Sequence, residues 1–221
     1  MAFQPVIEAR TRQVAFHEAL IRISRKDGSL IEPNSFLPTA ERIGLIKILD
    51  QYSLDLTLAH IYQNPTHRLA FNVSSATVHD PDWLLRLQQA LAPHPELGRN
   101  LIVEITETFA ADNLESTQRV IEDMQSMGIC VAMDDFGSGH TSFRSLRHLK
   151  FDLIKIDGTF IKNLSTSADD RVFTRSLIDL ARHIGVPVVA EWVEDGETAH
   201  LLTEWGVDYL QGYYFGKPTS V

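Results

Sequence analysis

The sequence predicts an α/β protein and, within that class, a (β/α)8 barrel of the TIM type. From residue 69 onward, short apolar segments alternate with segments whose apolar residues recur at helical spacing. This alternation is typical of a parallel sheet whose strands are joined by helices. About eight strands with one layer of helices favour a closed barrel, a fold that typically needs about 250 residues but also occurs near the present length of 221. An open, doubly wound sheet is disfavoured because no glycine-rich nucleotide-binding fingerprint follows any predicted strand.

The N-terminal segment predicts a β-hairpin instead of a βα unit. Residues 3–7 and 14–23 have the composition of strands, and the polar segment between them is too short for a crossover helix. We therefore expect these two strands to be antiparallel. Asp27-Gly28 is expected to form a turn after the second strand.

The remaining elements follow from hydrophobic periodicity and from cap residues. Asp80-Pro81 has the cap and first-turn residues of a helix, and Gly128, Gly185 and Gly206 each follow a helical segment. The further predicted strands are residues 69–73, 101–105, 130–133, 153–156, 186–190 and 207–210. The predicted helices are residues 33–63 with a break at Gly44, the segment after Pro81, and the segments around 114–127, 141–149, 173–184 and 201–205.

Composition limits the classes of partner. The net charge of −9 and the pI near 5.4 disfavour binding to DNA, RNA or an anionic membrane. The single cysteine, Cys130, excludes an internal disulfide and fits a reducing compartment. The sequence shows neither a signal peptide nor an apolar run that could cross a bilayer. We expect a cytoplasmic location and one domain, residues 1–221, that is part of a longer multidomain protein.

The strongest functional signal is the pair Asp134-Asp135 at the end of an apolar strand. Two adjacent ionised carboxylates repel each other unless a cation lies between them. A hard cation with oxygen ligands, such as Mg²⁺ or Mn²⁺, fits best. Taken alone, the pair is equally well read as a solvated turn followed by a helix cap.

Polar residues at the ends of the other predicted strands favour the metal site. Carboxyl ends of strands meet on one face of a (β/α)8 barrel, and that face holds the active site. Without a cluster of His or Cys ligands, the set argues against zinc, and two metal ions would suit in-line displacement at phosphorus. The residues are Glu18, Asn72, Glu104, Asp134, Asp135, Lys155, Asp157, Glu191 and Gln211.

Each of these residues also has a purely structural interpretation. Asn72 suits a buried amide, Glu104 suits an ion pair with Lys155, and Glu191 and Glu194 suit solvated helix caps. Separate structural roles for all of these residues, at the same end of consecutive strands, are a less simple explanation than one shared site.

Arg22 is a candidate for phosphate binding. It lies four residues after Glu18, and therefore on the same face of a continuous strand. Arginine binds phosphate through bidentate contacts. A surface arginine in an ion pair is an equally good interpretation.

A set of short motifs resembles the EAL domain family, in the family's order and over the whole chain. The resemblance implies a phosphodiesterase that linearises cyclic di-GMP to pGpG, and a barrel whose first strand is antiparallel to its neighbours. The motifs are Phe3-Gln-Pro5, Glu18-Ala-Leu-Ile-Arg22, Phe71-Asn-Val-Ser74, Val103-Glu-Ile-Thr-Glu107, Asp134-Asp-Phe-Gly-Ser-Gly139, Ile154-Lys-Ile-Asp157, Val189-Ala-Glu191, Val193-Glu194 and Gln211-Gly212.

The resemblance also implies a role for each matching residue. The first of two Mg²⁺ or Mn²⁺ ions would be held by Glu18, Asn72, Glu104 and Asp134, and the second by Asp134, Asp135 and Glu191. Lys155 would hold the attacking water, and Glu191 would be a ligand or the general base. Substrate contacts would come from Gln4, Arg22, Asp157 and Gln211, and support from Glu107, which anchors the loop after Asp135, and Glu194. The family also implies a homodimer through residues 137–149 and a place in a multidomain signalling protein.

The chain departs from the family pattern at a few positions. Trp192 stands where the family usually has glycine, and His140 and Thr141 stand where Tyr and Ser are common. The indole of Trp192 would narrow the guanine pocket, stack on a base, or pack outside the barrel. We favour packing outside, because neighbouring residues of a strand point to opposite faces.

No implied metal ligand is replaced, so the sequence favours an active enzyme. The main alternative is a catalytically inactive cyclic di-GMP receptor. A further alternative is a different metal-assisted barrel enzyme acting on a carboxylate or phosphate substrate.

Overall fold

Eight strands close into a barrel in this computed structural model, which describes residues 1–107, 114–138 and 148–220. The barrel order is β1-β2-β5-β6-β7-β8-β9-β10, and β10 pairs with β1 to close it. β1 is antiparallel to both neighbours, and every other barrel pair is parallel. The predicted (β/α)8 barrel with an antiparallel first strand is therefore confirmed. The strands are β1 (Ala2–Glu8), β2 (Val14–Leu20), β3 (Ile23–Ser24), β4 (Leu30–Ile31), β5 (Leu69–Asn72), β6 (Leu101–Thr106), β7 (Cys130–Phe136), β8 (Leu153–Ile156), β9 (Val188–Ala190), β10 (Tyr209–Gln211) and β11 (Thr219–Ser220).

The helices follow the predicted periodicity. Gly44, in the left-handed region, separates the first two helices as predicted, and Gly185, also left-handed, caps a later one. None of the described helices combines the length and apolar composition needed to cross a bilayer. The helices are α1 (Pro33–Arg42), α2 (Ile46–Gln63), α3 (Ser75–Val78), α4 (Pro81–Leu91), α5 (Leu114–Ser126), α6 (Gly158–Ile161), α7 (Ala168–Ile184) and α8 (Gly196–Glu204), with a 3-10 helix at Pro95–Asn100.

The second strand is shorter than predicted. It ends at Leu20, and the chain then leaves the barrel to form a separate two-stranded sheet, in which Ile23 pairs with Ile31 around the predicted turn at Gly28. Arg22 therefore lies outside the strand. The prediction that it shares a strand face with Glu18 is wrong, because period-two alternation ends with the strand.

The last two barrel strands are also displaced from the predicted ranges. The backbone N–H of Val188 donates to the Asp208 side chain (2.8 Å), so this side chain takes a bond that a strand backbone would otherwise make. β9 starts at Val188 and β10 only at Tyr209. A terminal strand that the sequence pattern did not predict, β11, pairs with the first residues of β1.

The barrel interior is apolar at one end. Seven buried residues form this layer, and Tyr209 and Cys130 pack against it. A second, larger core lies between the strands and the helices. The interior layer consists of Val6, Phe16, Ala70, Ile102, Ala132, Leu153 and Val189.

Candidate active site

A polar layer lies directly above the apolar interior layer. On the parallel strands, the polar residue is two positions after the apolar one, as in Ile102 and Glu104. On the antiparallel first strand it is two positions before, as in Val6 and Gln4. Strand side chains alternate with period two, so seven strands direct one polar residue to the same end of the barrel, and the residue directly after β9 supplies the eighth. The layer consists of Gln4, Glu18, Asn72, Glu104, Asp134, Lys155, Glu191 and Gln211.

Lys155 is at the centre of this layer and is 1% exposed. Its Nζ lies 2.8 Å from Glu191 Oε1, 2.9 Å from Glu104 Oε2, 3.1 Å from Asp134 Oδ1 and 3.7 Å from Glu18 Oε2. Burial alone would lower the pKa of Lys155, but the four carboxylates raise it well above its usual value. The lysine is therefore a permanent cation surrounded by acids.

Glu18 is held by the amides of the polar layer. Asn72 Nδ2 donates to its Oε1 at 2.8 Å, and Gln211 Nε2 donates to its Oε2 at 2.6 Å. Gln211 also donates to Gln4 Oε1 at 3.2 Å, which links the last strand to the first. Burial favours a raised pKa of Glu18, but Lys155 and these hydrogen bonds outweigh it and lower the pKa below its usual value. Glu18 is thus an oriented, ionised carboxylate.

A kink in β7 brings two consecutive carboxylates to one place. The register with β8 shifts between Met133 and Phe136, and Asp135 has a left-handed φ of 56°. In a regular strand, Asp134 and Asp135 would point to opposite faces. Here one oxygen from each, together with one from Glu191, lie within 4.8 Å of one another. The kink therefore creates the geometry of a shared cation site.

The residues present fit a hard cation. Two carboxylate oxygens and an amide oxygen in this layer are buried without a hydrogen-bond donor among the described residues: Glu104 Oε1, Asp134 Oδ1 and Gln211 Oε1. Asp134 Oδ1 has the ion-pair contact to Lys155 at 3.1 Å, but not in the orientation of a hydrogen bond. Unsatisfied buried oxygens are costly unless a cation or water binds them. Oxygen donors of this kind are those that Mg²⁺ and Mn²⁺ prefer.

Three further acids of the site have raised pKa values. Burial raises the pKa of Glu104 well above its usual range, despite the contact with Lys155. Burial and repulsion from Asp134 and Asp157 raise the pKa of Asp135 to about 6, and burial raises that of Glu191 to about 8. Without a cation, the cluster is therefore overcrowded with negative charge and holds protons that a bound cation would displace.

Glu107 holds the segment that follows the kink. Its Oε2 accepts a hydrogen bond from the backbone N–H of Gly137 at 2.8 Å, and the Ser138 hydroxyl lies 3.5 Å from the same oxygen. This is the position that the resemblance implies for a loop anchor. The predicted elements further along, Gly139, His140, Thr141 and the helix predicted at 141–149, lie outside the described residues apart from residues 148 and 149.

Three further predicted site residues lie beyond the polar layer. Asp157 caps α6 by accepting from the Thr159 N–H at 2.7 Å. Arg22 donates from Nη1 to the carbonyl of Ile21 at 3.0 Å. Glu194 is exposed, and the cap of α8 is Asp195 instead.

Trp192 lies at the rim, directly after Glu191. β9 ends at Ala190, so the strand alternation from which we expected packing outside the barrel does not reach this residue. Its φ is 50°, its side chain is 51% exposed, and its ring lies over Gly158.

The sequence interpretation missed one supporting residue, Asp50 of α2. Its carboxylate accepts hydrogen bonds from the N–H and the hydroxyl of Ser74, two residues beyond Asn72. Burial raises the pKa of Asp50. The available signal was an acid within a helix whose neighbours are mostly apolar, and it does not specify which loop the acid binds.

The fold and the site together define a (β/α)8 barrel with a cluster of carboxylates around a buried lysine at the carboxyl ends of its strands. The sequence profile of the EAL domain matches residues 1–218. The chain therefore belongs to the EAL domain family.

Two similar proteins illustrate the family. The cyclic di-GMP phosphodiesterase PdeF of Escherichia coli (strain K12) is 37% identical over 207 residues, which are 92% of this chain and 28% of PdeF. The signaling protein YkoW of Bacillus subtilis (strain 168) is 31% identical over 220 residues, which are 98% of this chain and 28% of YkoW. The chain thus spans less than a third of the length of these relatives.

Solved structures agree with the fold. A structure described as the PaMucR phosphodiesterase in complex with c-di-GMP has a TM-score of 0.92 and 30% identity, covering all of this chain and 91% of the other. The FimX EAL domain from Pseudomonas aeruginosa bound to c-di-GMP has a TM-score of 0.88 and 28% identity, covering 99% of this chain and 89% of the other.

Proposed function

We propose that the chain is a metal-dependent phosphodiesterase that hydrolyses cyclic di-GMP to linear pGpG. The observation that carries the proposal is the cluster of Asp134, Asp135 and Glu191, whose ligand atoms lie within 4.8 Å of one another beside the buried ammonium of Lys155. Relatives and structural neighbours that are named as cyclic di-GMP phosphodiesterases support the choice of substrate.

The chain offers two sets of ligands for Mg²⁺ or Mn²⁺. Glu18, Asn72, Glu104 and Asp134 would hold one ion, and Asp134, Asp135 and Glu191 the other. Bound metal ions would supply a water molecule acidified for attack and would stabilise charge on the attacking and leaving oxygens. The buried Glu104 Oε1, which has no hydrogen-bond donor among the described residues, supports this assignment.

Lys155 would hold the nucleophilic water. Its raised pKa keeps it protonated, so it donates a hydrogen bond and does not accept the proton. Because its Nζ contacts acids from both proposed ligand sets, it lies between them and also limits their mutual repulsion.

Glu191 is the proposed ligand and proton acceptor. Its Oε1 lies 2.8 Å from the Lys155 ammonium that would hold the water, which places the carboxylate within reach of the water proton. In the proposed step, a water oxygen forms a bond to phosphorus and one phosphodiester P–O bond of the ring breaks. The water proton goes to Glu191, and the leaving oxygen takes up a proton to become a hydroxyl.

Gln4, Arg22, Asp157 and Gln211 are the proposed substrate contacts. Gln211 has an amide oxygen without a donor, and Asp157 lies at the end of β8 above Lys155. Arg22 starts the segment that leaves the barrel after β2 and is the nearest arginine in sequence to Glu18. Glu107 and Glu194 are proposed to support the loops around these residues.

The assembly and setting are further parts of the proposal. We infer a homodimer through residues 137–149, anchored on one side by the bond from Gly137 to Glu107. We also infer a cytoplasmic domain of a longer multidomain signalling protein, since the relatives it matches are much longer than the chain.

The test is incubation of the purified protein with cyclic di-GMP in Mg²⁺, in Mn²⁺ and in EDTA, with chromatography of the nucleotides. Metal-dependent appearance of pGpG is expected. Intact cyclic di-GMP in every sample, with binding by calorimetry, would overturn the enzyme in favour of a receptor. Neither cleavage nor binding would favour another metal-assisted barrel enzyme.

A further inference from the structure

We propose that Trp192 is a base-stacking residue of the candidate site, and that one guanine of the cyclic dinucleotide lies on the exposed face of its indole. The inference rests on the proposed function for the identity of the ligand. It goes beyond that function by assigning affinity to a residue outside the polar layer.

The indole is placed beside the cation site by the chain itself. Trp192 directly follows Glu191, and its ring lies over Gly158, which directly follows Asp157. These two segments leave the carboxyl ends of the neighbouring strands β8 and β9. A nucleotide whose phosphate binds to a cation at Glu191 would have its base near the adjacent side chain.

The backbone at this position is unusual for so large a residue. A φ of 50° is in the left-handed region, which is sterically costly for residues with a Cβ. Within the described residues, only Arg12 and Asp135 among non-glycine residues share a positive φ, and Asp135 belongs to the cation site itself. Costly conformations of this kind concentrate at functional sites.

One face of the ring is fixed and part of the side chain is left free. A Cβ built on Gly158 would lie only 2.1 Å from Cγ of Trp192 and 2.3 Å from its Cδ2, so the ring packs directly on the glycine backbone. The side chain is nevertheless 51% exposed, whereas Trp83 in the core is 4% exposed. An aromatic ring held on one face and open to solvent at a site rim has the form of a stacking platform.

Guanine is a suitable occupant because stacking needs only an aromatic face. Stacking of a base on an aromatic side chain contributes about 1–3 kcal/mol, which corresponds to about 5- to 150-fold in affinity. This contact is made equally in the ground state and the transition state, so it should affect KM and leave kcat nearly unchanged.

Steady-state kinetics with cyclic di-GMP test the proposal. We expect Trp192→Ala to raise KM by at least about 5-fold with kcat within about 2-fold, and Trp192→Phe to recover most of the loss. Trp192→Gly, which tolerates the left-handed backbone, should match Trp192→Ala in KM and thereby separate the ring from the backbone. The matched control is Tyr52→Ala, because Tyr52 is 60% exposed on the outer helix α2 and should leave KM unchanged.

Tryptophan fluorescence gives a second readout that does not need turnover. Cyclic di-GMP mixed rapidly with the Mg²⁺-loaded protein should quench emission before any cleavage, and Trp192→Phe should remove the quenching. Trp205→Phe should retain it, since Trp205 caps the far end of α8 and packs near Arg175.

The outcomes separate the two proposals. Cleavage by the wild type with an unchanged KM in Trp192→Ala would overturn the stacking role alone. Quenching that depends on Trp192 without cleavage would support stacking and overturn the phosphodiesterase. A loss of kcat with unchanged KM would overturn stacking and show instead that the ring only fixes Glu191.

Discussion

Lys155 Nζ lies 2.8 Å from Glu191 Oε1, the shortest of its four contacts with carboxylates. The lysine is therefore a built-in cation in a layer that would otherwise contain only acids and amides. Its charge and the proposed metal ions neutralise the same carboxylates. Because of this shared role, the effect of removing the lysine should depend on whether metal is bound and on the pH.

Lys155→Met should destabilise the metal-free protein and abolish turnover. Removing one partner of a buried ion pair typically costs about 3–5 kcal/mol, because the remaining charge is left uncompensated. The acids can take up protons instead, so the loss should be larger at about pH 8 than at about pH 5. Urea unfolding in EDTA measures both effects.

Lys150→Met is the matched control for this prediction, since Lys150 is exposed at the other end of the barrel, before β8. Equal stability losses in the two variants would contradict the central role of Lys155.

Glu18→Ala should remove a metal ligand and reduce turnover by orders of magnitude while the fold is retained. Glu18→Gln keeps a side chain of the same shape but not the charge, so it should also be nearly inactive. Pre-steady-state pGpG formation and Mn²⁺ titration by calorimetry measure the two losses. Glu115→Gln, at an exposed glutamate of α5, is the control. Activity near that of the wild type in Glu18→Ala would refute the metal assignment.

The raised pKa of Glu191 predicts how the metal-free protein responds to pH. Its pKa is about 8 in the native state against a usual value of 4.5, so between these two pH values the native protein holds a proton that the unfolded chain releases. Its stabilising contribution is thus fully present below the unfolded pKa and is lost as the pH rises through the folded pKa. The slope is at most about 1.4 kcal/mol per pH unit.

Glu191→Gln should lack this contribution. Urea unfolding in EDTA at about pH 5, 7 and 9 should show wild-type stability falling relative to the variant as pH rises. A constant difference across this range would contradict the raised pKa.

The sequence was sufficient to predict the barrel and most of the polar layer. Strand periodicity alone places Glu104 two residues after Ile102 and Lys155 two residues after Leu153, on the inner face of consecutive strands. The antiparallel first strand follows from its short connection to the second. These features depend on local pattern and on the closure of the barrel.

The features that the sequence did not predict depend on backbone conformation at single residues. Asp135 and Trp192 adopt left-handed φ values, which period-two alternation cannot express. Aspartate is enriched in this region but lies mostly outside it, and tryptophan gives no signal for it. The same limitation applies to Arg22, because alternation does not show where β2 ends. The start of β9 involves a side-chain bond from Asp208 to the Val188 N–H, a contact between distant segments that local pattern does not contain.

The kink at Asp135 yields a prediction that separates the effect of the backbone conformation on stability from the effect of the carboxylate on metal binding. Asp135→Gly, Asp135→Asn and Asp135→Ala all remove the charge, so each should lose one bound Mn²⁺ in calorimetry and most of the turnover. Their stabilities should differ, because glycine adopts a φ of 56° without steric cost, asparagine tolerates it, and alanine does not. We expect Asp135→Ala to be less stable than Asp135→Gly by about 1 kcal/mol in urea unfolding, with Asp135→Asn between them.

A control for this prediction needs an aspartate whose side chain does not hold the backbone. Asp152 is unsuitable, since it accepts the Val131 N–H at 2.8 Å. The exposed pair Asp82→Gly and Asp82→Ala in α4 is suitable, and there alanine should be the more stable. Alanine more stable than glycine at both positions would refute the left-handed kink, and with it the explanation of how two consecutive aspartates reach one cation site.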